Sequence, residues 1–283
     1  MPFARLQYIP KTLQRFPRIP PSKVPIRALL SSTMASSEPN IVLYTAQTPN
    51  GIKVSITLEE LGLPYKVHPI KFSTNEQKED WFLKINPNGR IPAITDTFTD
   101  GQQINVFESG SIMQYLVARY DKDYKISYPP GSREHVEMTN WLFFQNAGVG
   151  PMQGQANHFT RYAPEHIEYG VNRYQNETRR LYGVLDKHLS SNNTHYLVGE
   201  KCTIADIAHF GWVNAAGWAG IDIDEFPALK AWEERMSKRP GVEKGQHVPE
   251  RNTIKERLKD KKAMEEAAEN AKKWIHSKPS EQK

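Results

Sequence analysis

Cysteine is nearly absent: Cys202 is the only one in 283 residues. A lone thiol excludes an intrachain disulfide framework and a multi-cysteine metal site, and it fits a reducing compartment. Long apolar runs are missing too, since none approaches the roughly 18 residues that a membrane span needs. Residues 1–33 contain no acid, only the six bases Arg5, Lys11, Arg15, Arg18, Lys23 and Arg27. The net charge of +5 is therefore unevenly spread. Residues 242–283 hold eleven basic against eight acidic residues, whereas 34–241 hold twenty against twenty-four. A middle of net −4 argues against nucleic-acid binding by the folded part. His68, His135, His166 and His188 lack metal-ligand spacing, so no metal is expected.

What is present is enough for roughly two domains. Apolar residues make up 38%, with six Trp, twelve Tyr and eleven Phe to fill a core. Residues 1–39 read as an extension. Six prolines between Pro2 and Pro25 prevent a helix, and no apolar face repeats. Two readings of residues 1–33 stand. Basic residues leading to Ser31-Ser32-Thr33 suit a mitochondrial transit segment, whereas Met34-Ala35-Ser36-Ser37 suits an ordinary start and a cytoplasmic protein.

The folded chain is organised around Asn40–Gly62. Ile41-Val42-Leu43-Tyr44 is a short apolar run that predicts a buried strand. A Thr48-Pro49-Asn50-Gly51 turn leads to a helix in which Val54, Leu58 and Leu61 recur at helical spacing, and Gly62 stops it. Strand, turn and helix aim backbone N–H groups and a positive dipole end at one spot, where Thr48 and Asn50 add a hydroxyl and a carboxamide.

Tyr65–His68 is a second strand, parallel to the first because one helix joins them. Gln77–Ile85 reads as a helix carrying Trp81, Phe82 and Ile85. Ile91–Thr95 and Gln103–Phe107 flank an Asp100-Gly101 turn as a hairpin, and Glu108-Ser109-Gly110 opens a helix. The order β-α-β, β-β-α over residues 40–120 is that of a thioredoxin-like unit. Residues 121–132, with Pro129-Pro130-Gly131, read as a linker. Residues 133–243 read as all-helical, with a break near Gly148–Gly154 and a long helix after Pro164. Thr203-Ile204-Ala205-Asp206 suits a capping box. A further helix begins at Pro227 and ends at Arg239-Pro240-Gly241. The charged tail, 244–283, reads as a solvated helix or disordered, its apolar positions being too sparse for a core face.

A thioredoxin-like half with NPNGRIPAI and FESGSI, followed by a helical half with TIAD, resembles the glutathione S-transferase superfamily. The TPNG turn, WLFFQNAGVGPMQGQANHF at 141–159 and NRYQNETRRLYGVL at 172–185 are similar to the bacterial nu class and to the fungal branch that includes the yeast nitrogen regulator. The resemblance covers about Ile41–Gly241. It implies a thioredoxin-like α/β domain followed by an all-α domain, a homodimer, and glutathione as co-substrate.

The resemblance also assigns residues. Glu108 and Ser109 match the site for the γ-glutamyl end of glutathione. Ile91-Pro92 matches a cis-proline turn that presents the Ile91 backbone to the cysteinyl part. Arg90 either meets the glycine carboxylate or is a solvated charge. Asn50 and Thr48 match the groups at the thiol; Asn50 also suits a helix-starting turn, and the two roles are compatible. Met152, Gln155, His158 and Phe159 are candidates for the wall of an electrophile pocket. Cys202, far from the thiol site in sequence, is expected to be structural.

The expected activity is glutathione-dependent: conjugation to a small electrophile, or reduction of a disulfide or peroxide. The alternative is a transferase-shaped regulator that binds a partner protein with little catalysis.

Overall fold

The computed structural model describes residues 39–191 and 194–275. The expectations for residues 1–33, and for the tail beyond 275, lie outside the described residues.

Four strands form one sheet in the order β2-β1-β3-β4. β1 (Ile41–Thr45) buries Ile41, Leu43 and Thr45 and leaves Val42 and Tyr44 half-buried. β2 (Tyr65–Pro69) runs parallel to it with Tyr65 opposite Ile41, as one crossover helix requires. β3 (Ala93–Thr97) pairs antiparallel with both β1 and β4 (Gln103–Phe107). This is the thioredoxin-like half. The helix expected over Gln77–Ile85 is shorter: α2 spans only Asp80–Leu83, after two 3-10 turns.

The crossover helix α1 (Gly51–Leu61) is buried almost throughout. Val54 and Leu58 join Ile112 and Leu116 of α3 (Ser109–Tyr120) in the core under the sheet. Ile52 and Ile56 join the helical half's core instead. Each such side chain, fully buried, stabilises by roughly 1.5–3 kcal/mol.

α9 (Pro240–Gly245) closes the other side of α1 by close backbone approach. A Cβ on Gly245 would lie 2.5 Å from the Ile56 Cα, and one on Gly241 would lie 2.7 Å from the Glu60 side chain. Arg239 donates to both Glu60 carboxylate oxygens, at 2.9 and 2.8 Å. A boundary at 243 therefore cuts through a packed helix.

The helical half departs from expectation at Gly148–Gly154. α4 (Arg133–Phe144) runs without a break through a π-helical turn at Gln145–Val149 into α5 (Gly150–Asn157), and on into a second at His158–Tyr162. Pro151 has no N–H to give a regular helix, and the wider turn before it fits that loss. The glycines serve contact rather than breakage. A Cβ on Gly148 would meet Leu181 at 3.3 Å, and one on Gly154 would meet Trp212 at 3.6 Å.

α6 (Glu168–Ser191) supplies Leu181, Tyr182 and Leu185 to the core. α7 (Ile204–Asn214) starts from the capping box: the Thr203 hydroxyl accepts from Ala205 N at 3.2 Å, and Asp206 accepts from Thr203 N at 2.9 Å. α8 (Pro227–Ser237) buries Leu229, Trp232 and Met236. Of the tail, α10 (Ile254–Arg257) and α11 (Lys261–Ile275) are helical, but α11 is not wholly solvated. It packs on the turn at His158–Tyr162 with Ala268 buried. Its less exposed positions include Ala263, Met264, Ala267, Ala268 and Ala271, so this face is mostly alanine and carries few of the bulky residues that betray a core face in sequence. No described helix is long and apolar enough to cross a membrane.

Candidate functional site

A cleft of about 1330 Å³ lies between the sheet-bearing half and the helical half. One wall carries Thr48 and Asn50 from the turn after β1, Arg90 and Ile91 from the loop before β3, and Glu108 and Ser109 at the start of α3. The other carries Gln155, His158 and Trp212. Ile275, at the end of α11, also reaches it.

The turn between β1 and α1 is shaped by Gly51. A Cβ there would overlap the Ala46 carbonyl oxygen and come within 3.3 Å of Thr48 Oγ1. Gly51 N donates to Thr48 Oγ1 at 3.0 Å, so the threonine oxygen caps α1 and its own proton remains to donate elsewhere. Asn50 does not use its side chain as a cap. Trp212 Nε1 donates to Asn50 Oδ1 at 3.1 Å. An indole N–H is only a donor, which fixes the carboxamide with its oxygen on Trp212 and its NH₂ turned away. Trp212 is itself held: its carbonyl accepts from Gln153 Nε2 at 2.8 Å and from the Tyr182 hydroxyl at 3.2 Å, and Tyr182 also donates to Gln153 Oε1 at 2.7 Å. A buried chain of α5, α6 and α7 thus orients a side chain of the other half.

The loop before β3 turns on Asn86, whose Nδ2 donates to the Arg90 carbonyl at 2.6 Å and whose Oδ1 accepts from Asn88 N at 3.0 Å. The Ile91–Pro92 bond is cis. Ile91 lines the cleft, whereas Pro92 is buried and does not. Arg90 is exposed at the rim. Glu108 has φ of 66°, a left-handed value that costs a non-glycine residue about 1–3 kcal/mol. It stands at the tight passage from β4 into α3, exposed on the cleft. Ser109, buried, is the first residue of α3, where free N–H groups and the helix dipole favour an anion. Gly110 lets Asn146 approach, since a Cβ would meet its side-chain carbon at 3.2 Å.

Two of the expected pocket residues are corrected. Met152 packs against the helical core, and Phe159 stacks on Tyr174 with ring centroids 5.4 Å apart; neither lines the cleft. Gln155 and His158, one helical turn apart, face it instead. The cysteine is remote: Cys202 is buried, its Sγ 3.7 Å from Met236 Sδ, and burial pushes its thiol well above the ordinary range. No cysteine lines the cleft among the described residues.

Among the cleft residues that escaped the sequence reading are Lys53, Gln145 and Trp212. Lys53 stands on a helix buried on all sides, and Trp212 lies in the uniformly buried α7. Neither position has a polar face to mark it.

The profile of the glutathione S-transferase N-terminal domain matches residues 39–118, and that of the C-terminal domain matches 136–240. The chain is 43% identical over 204 residues to the disulfide-bond oxidoreductase YfcG of Escherichia coli, covering 71% of this chain and 92% of that one. A crystal structure of a glutathione transferase homologue from Lodderomyces elongisporus, with two glutathione molecules per subunit, superposes with a TM-score of 0.72 at 48% identity, covering 74% of this chain and 99% of that one. The nitrogen regulation fragment of the yeast prion protein Ure2p does so with a TM-score of 0.69 at 35% identity, covering 74% and 96%. The chain belongs to the glutathione S-transferase family.

Proposed function

We propose that this chain binds glutathione in the cleft and uses its thiolate on a small electrophile or a disulfide. The γ-glutamyl end lies at Glu108 and Ser109, the cysteinyl part along Ile91, and the sulfur beside Asn50 and Thr48. Arg90, at the rim, meets the glycine carboxylate. The observation that carries this reading is the Trp212–Asn50 hydrogen bond. It turns the NH₂ of Asn50 away from Trp212 as a fixed donor next to the capping hydroxyl of Thr48, at the start of α1. These groups stabilise a negative sulfur without being consumed.

In conjugation the thiolate forms a C–S bond while the leaving group departs with the electron pair of its bond to carbon. In reduction it attacks one disulfide sulfur and releases the other as a thiolate. The resulting mixed disulfide is resolved by a second glutathione, giving oxidised glutathione and the reduced substrate, because Cys202 is out of reach. Cys202→Ser therefore keeps most turnover of a model electrophile and of a glutathione mixed disulfide. Loss of both activities in a folded Cys202→Ser protein would sink the mechanism. Binding of glutathione with no turnover of either substrate by the unaltered protein would favour the regulatory alternative instead.

Subunit pairing belongs to the same proposal. Phe107 on the edge strand β4 and Val136 and Phe143 on one face of α4 are 38%, 56% and 60% exposed. Apolar groups this open on β4 and α4 suit a two-fold contact with a second copy. Sedimentation velocity at micromolar concentration is expected to give a dimer, and Phe143→Glu a monomer. A monomer for the unaltered chain would remove the dimer.

A further inference from the structure

Lys53 is a buried ammonium that neither the fold nor the thiol chemistry accounts for. Its Nζ donates to Gln145 Oε1 at 2.5 Å and to Ser109 Oγ at 3.3 Å, and all three residues are buried and line the cleft. An ammonium has three protons and accepts nothing, so both bonds have one possible direction. Ser109 Oγ must accept from Lys53, which leaves the serine proton to donate elsewhere. Gln145 Oε1 must accept as well, which fixes its NH₂; that nitrogen is buried with no partner. Lys53 also keeps one proton beyond these two bonds. Spare donors therefore gather behind the first residue of α3, beside free backbone N–H groups of a twelve-residue helix. Both hydrogen-bond acceptors of Lys53 are neutral, and the carboxylate that acts on it, Glu108, is exposed on the cleft, so burial of the ammonium is only partly offset.

We propose that Lys53 is a positioning residue for the γ-glutamyl α-carboxylate of glutathione, its buried counter-charge acting through Ser109 Oγ. The proposal rests on the reading that the γ-glutamyl end binds at Glu108 and Ser109. It assigns to the buried layer the charge balance that the surface pair cannot supply, because Glu108 serves the ligand's ammonium.

A consequence is that binding and protonation are coupled. Burial lowers the Lys53 ammonium to about 7, with the charge of Glu108 pulling the other way. The other groups facing it are Ser109 on α3, Gln145 after α4, and His209 on α7. His209 is held near 3 by burial and donates from Nδ1 to the Ala205 carbonyl at 2.8 Å, so it stays neutral. A carboxylate arriving beside Ser109 raises the Lys53 value. Below the free-protein value Lys53 is charged in both states and affinity is independent of pH. Above it, binding draws in a proton and weakens by up to tenfold for each pH unit until the bound value is reached.

The test is calorimetry with S-methylglutathione, which has no thiol to titrate, in two buffers of different ionisation enthalpy at about pH 6 and about pH 8. The unaltered protein is expected to take up almost no proton at the lower pH and a substantial fraction of one at the higher, with affinity several-fold weaker there. Lys53→Met, nearly the same size and uncharged, is expected to bind about tenfold more weakly at the lower pH and to lose that uptake. Lys53→Gln serves if the methionine variant does not fold. Titration of the ligand's own amine is common to all these proteins and cancels in the difference. Uptake at the higher pH that is no greater in the unaltered protein than in Lys53→Met overturns this proposal alone. No binding at either pH overturns the γ-glutamyl site and this proposal together.

Discussion

Asn50→Ala is expected to lower turnover of a model electrophile by about 10- to 30-fold at neutral pH, while the affinity for glutathione changes less than about threefold. A free thiol titrates near 8.5, so only a few per cent is thiolate at neutral pH. Each tenfold gain in thiolate needs about 1.4 kcal/mol of preferential stabilisation of the charged sulfur. One hydrogen bond to a charged group contributes about 1.5–3 kcal/mol, and the half-buried position of Asn50 argues for the lower end. Removing that donor raises the bound thiol's pKa by about one unit, whereas the proposed contacts to the γ-glutamyl and glycine ends are untouched. The loss should therefore fade as pH rises through the shifted value.

Trp212→Phe provides the companion measurement. It leaves Asn50 in place but releases its oxygen, so the carboxamide is free to turn, and an intermediate loss of about threefold is expected. The thiolate absorbance of bound glutathione, titrated in both variants, reports the pKa directly. A turnover loss in Asn50→Ala that is the same at all pH values would show that the carboxamide does not act on the sulfur.

The turn that carries Thr48 and Asn50 illustrates how far the sequence carries. A strand, a Thr-Pro-Asn-Gly turn and a helix leave few possible geometries, and the expected parallel pair and hairpin are those observed. The capping box at Thr203 and Asp206 was equally legible, because it rests on residues three apart in the chain. What escaped depends on packing between the two halves. Lys53 shows its role only once α1 is buried and its Nζ meets Ser109 and Gln145, 56 and 92 positions away in sequence. Trp212 reads as core until its one polar atom meets Asn50, 162 positions away in sequence. Glycines at 148, 150 and 154 looked like a helix break because propensity weighs them singly. In the fold a π-helical turn fits Pro151, and the glycines give room to Leu181, Gln145 and Trp212. Met152 and Phe159 failed for a related reason, since apolar residues on a helix do not reveal whether they face a cleft or a core.

The largest expected effect on stability is at Asp206. Its Oδ1 accepts from Leu197 N at 2.9 Å and Trp232 Nε1 at 3.0 Å; its Oδ2 accepts from Thr203 N at 2.9 Å and the Thr203 hydroxyl at 3.1 Å. All of these residues are buried. Asp206→Ala leaves three N–H donors without partners, each costing about 1–3 kcal/mol, with partial relief if water enters. A loss of about 3–5 kcal/mol follows, which is a large share of a domain's usual 5–15 kcal/mol. Asp206→Asn separates the donors. Its oxygen can still serve Leu197 and Trp232, and the Thr203 hydroxyl can turn to accept from the new NH₂, but Thr203 N cannot. It should therefore cost about 2 kcal/mol. Urea unfolding measures both, and a loss below about 1 kcal/mol for Asp206→Ala would mean that the box does not hold α7 in place. Because α7 carries Trp212, the two experiments are linked. If the cap holds α7, activity in Asp206→Asn should fall at lower urea than the global transition, as Trp212 loosens and Asn50 loses its orientation before the core opens.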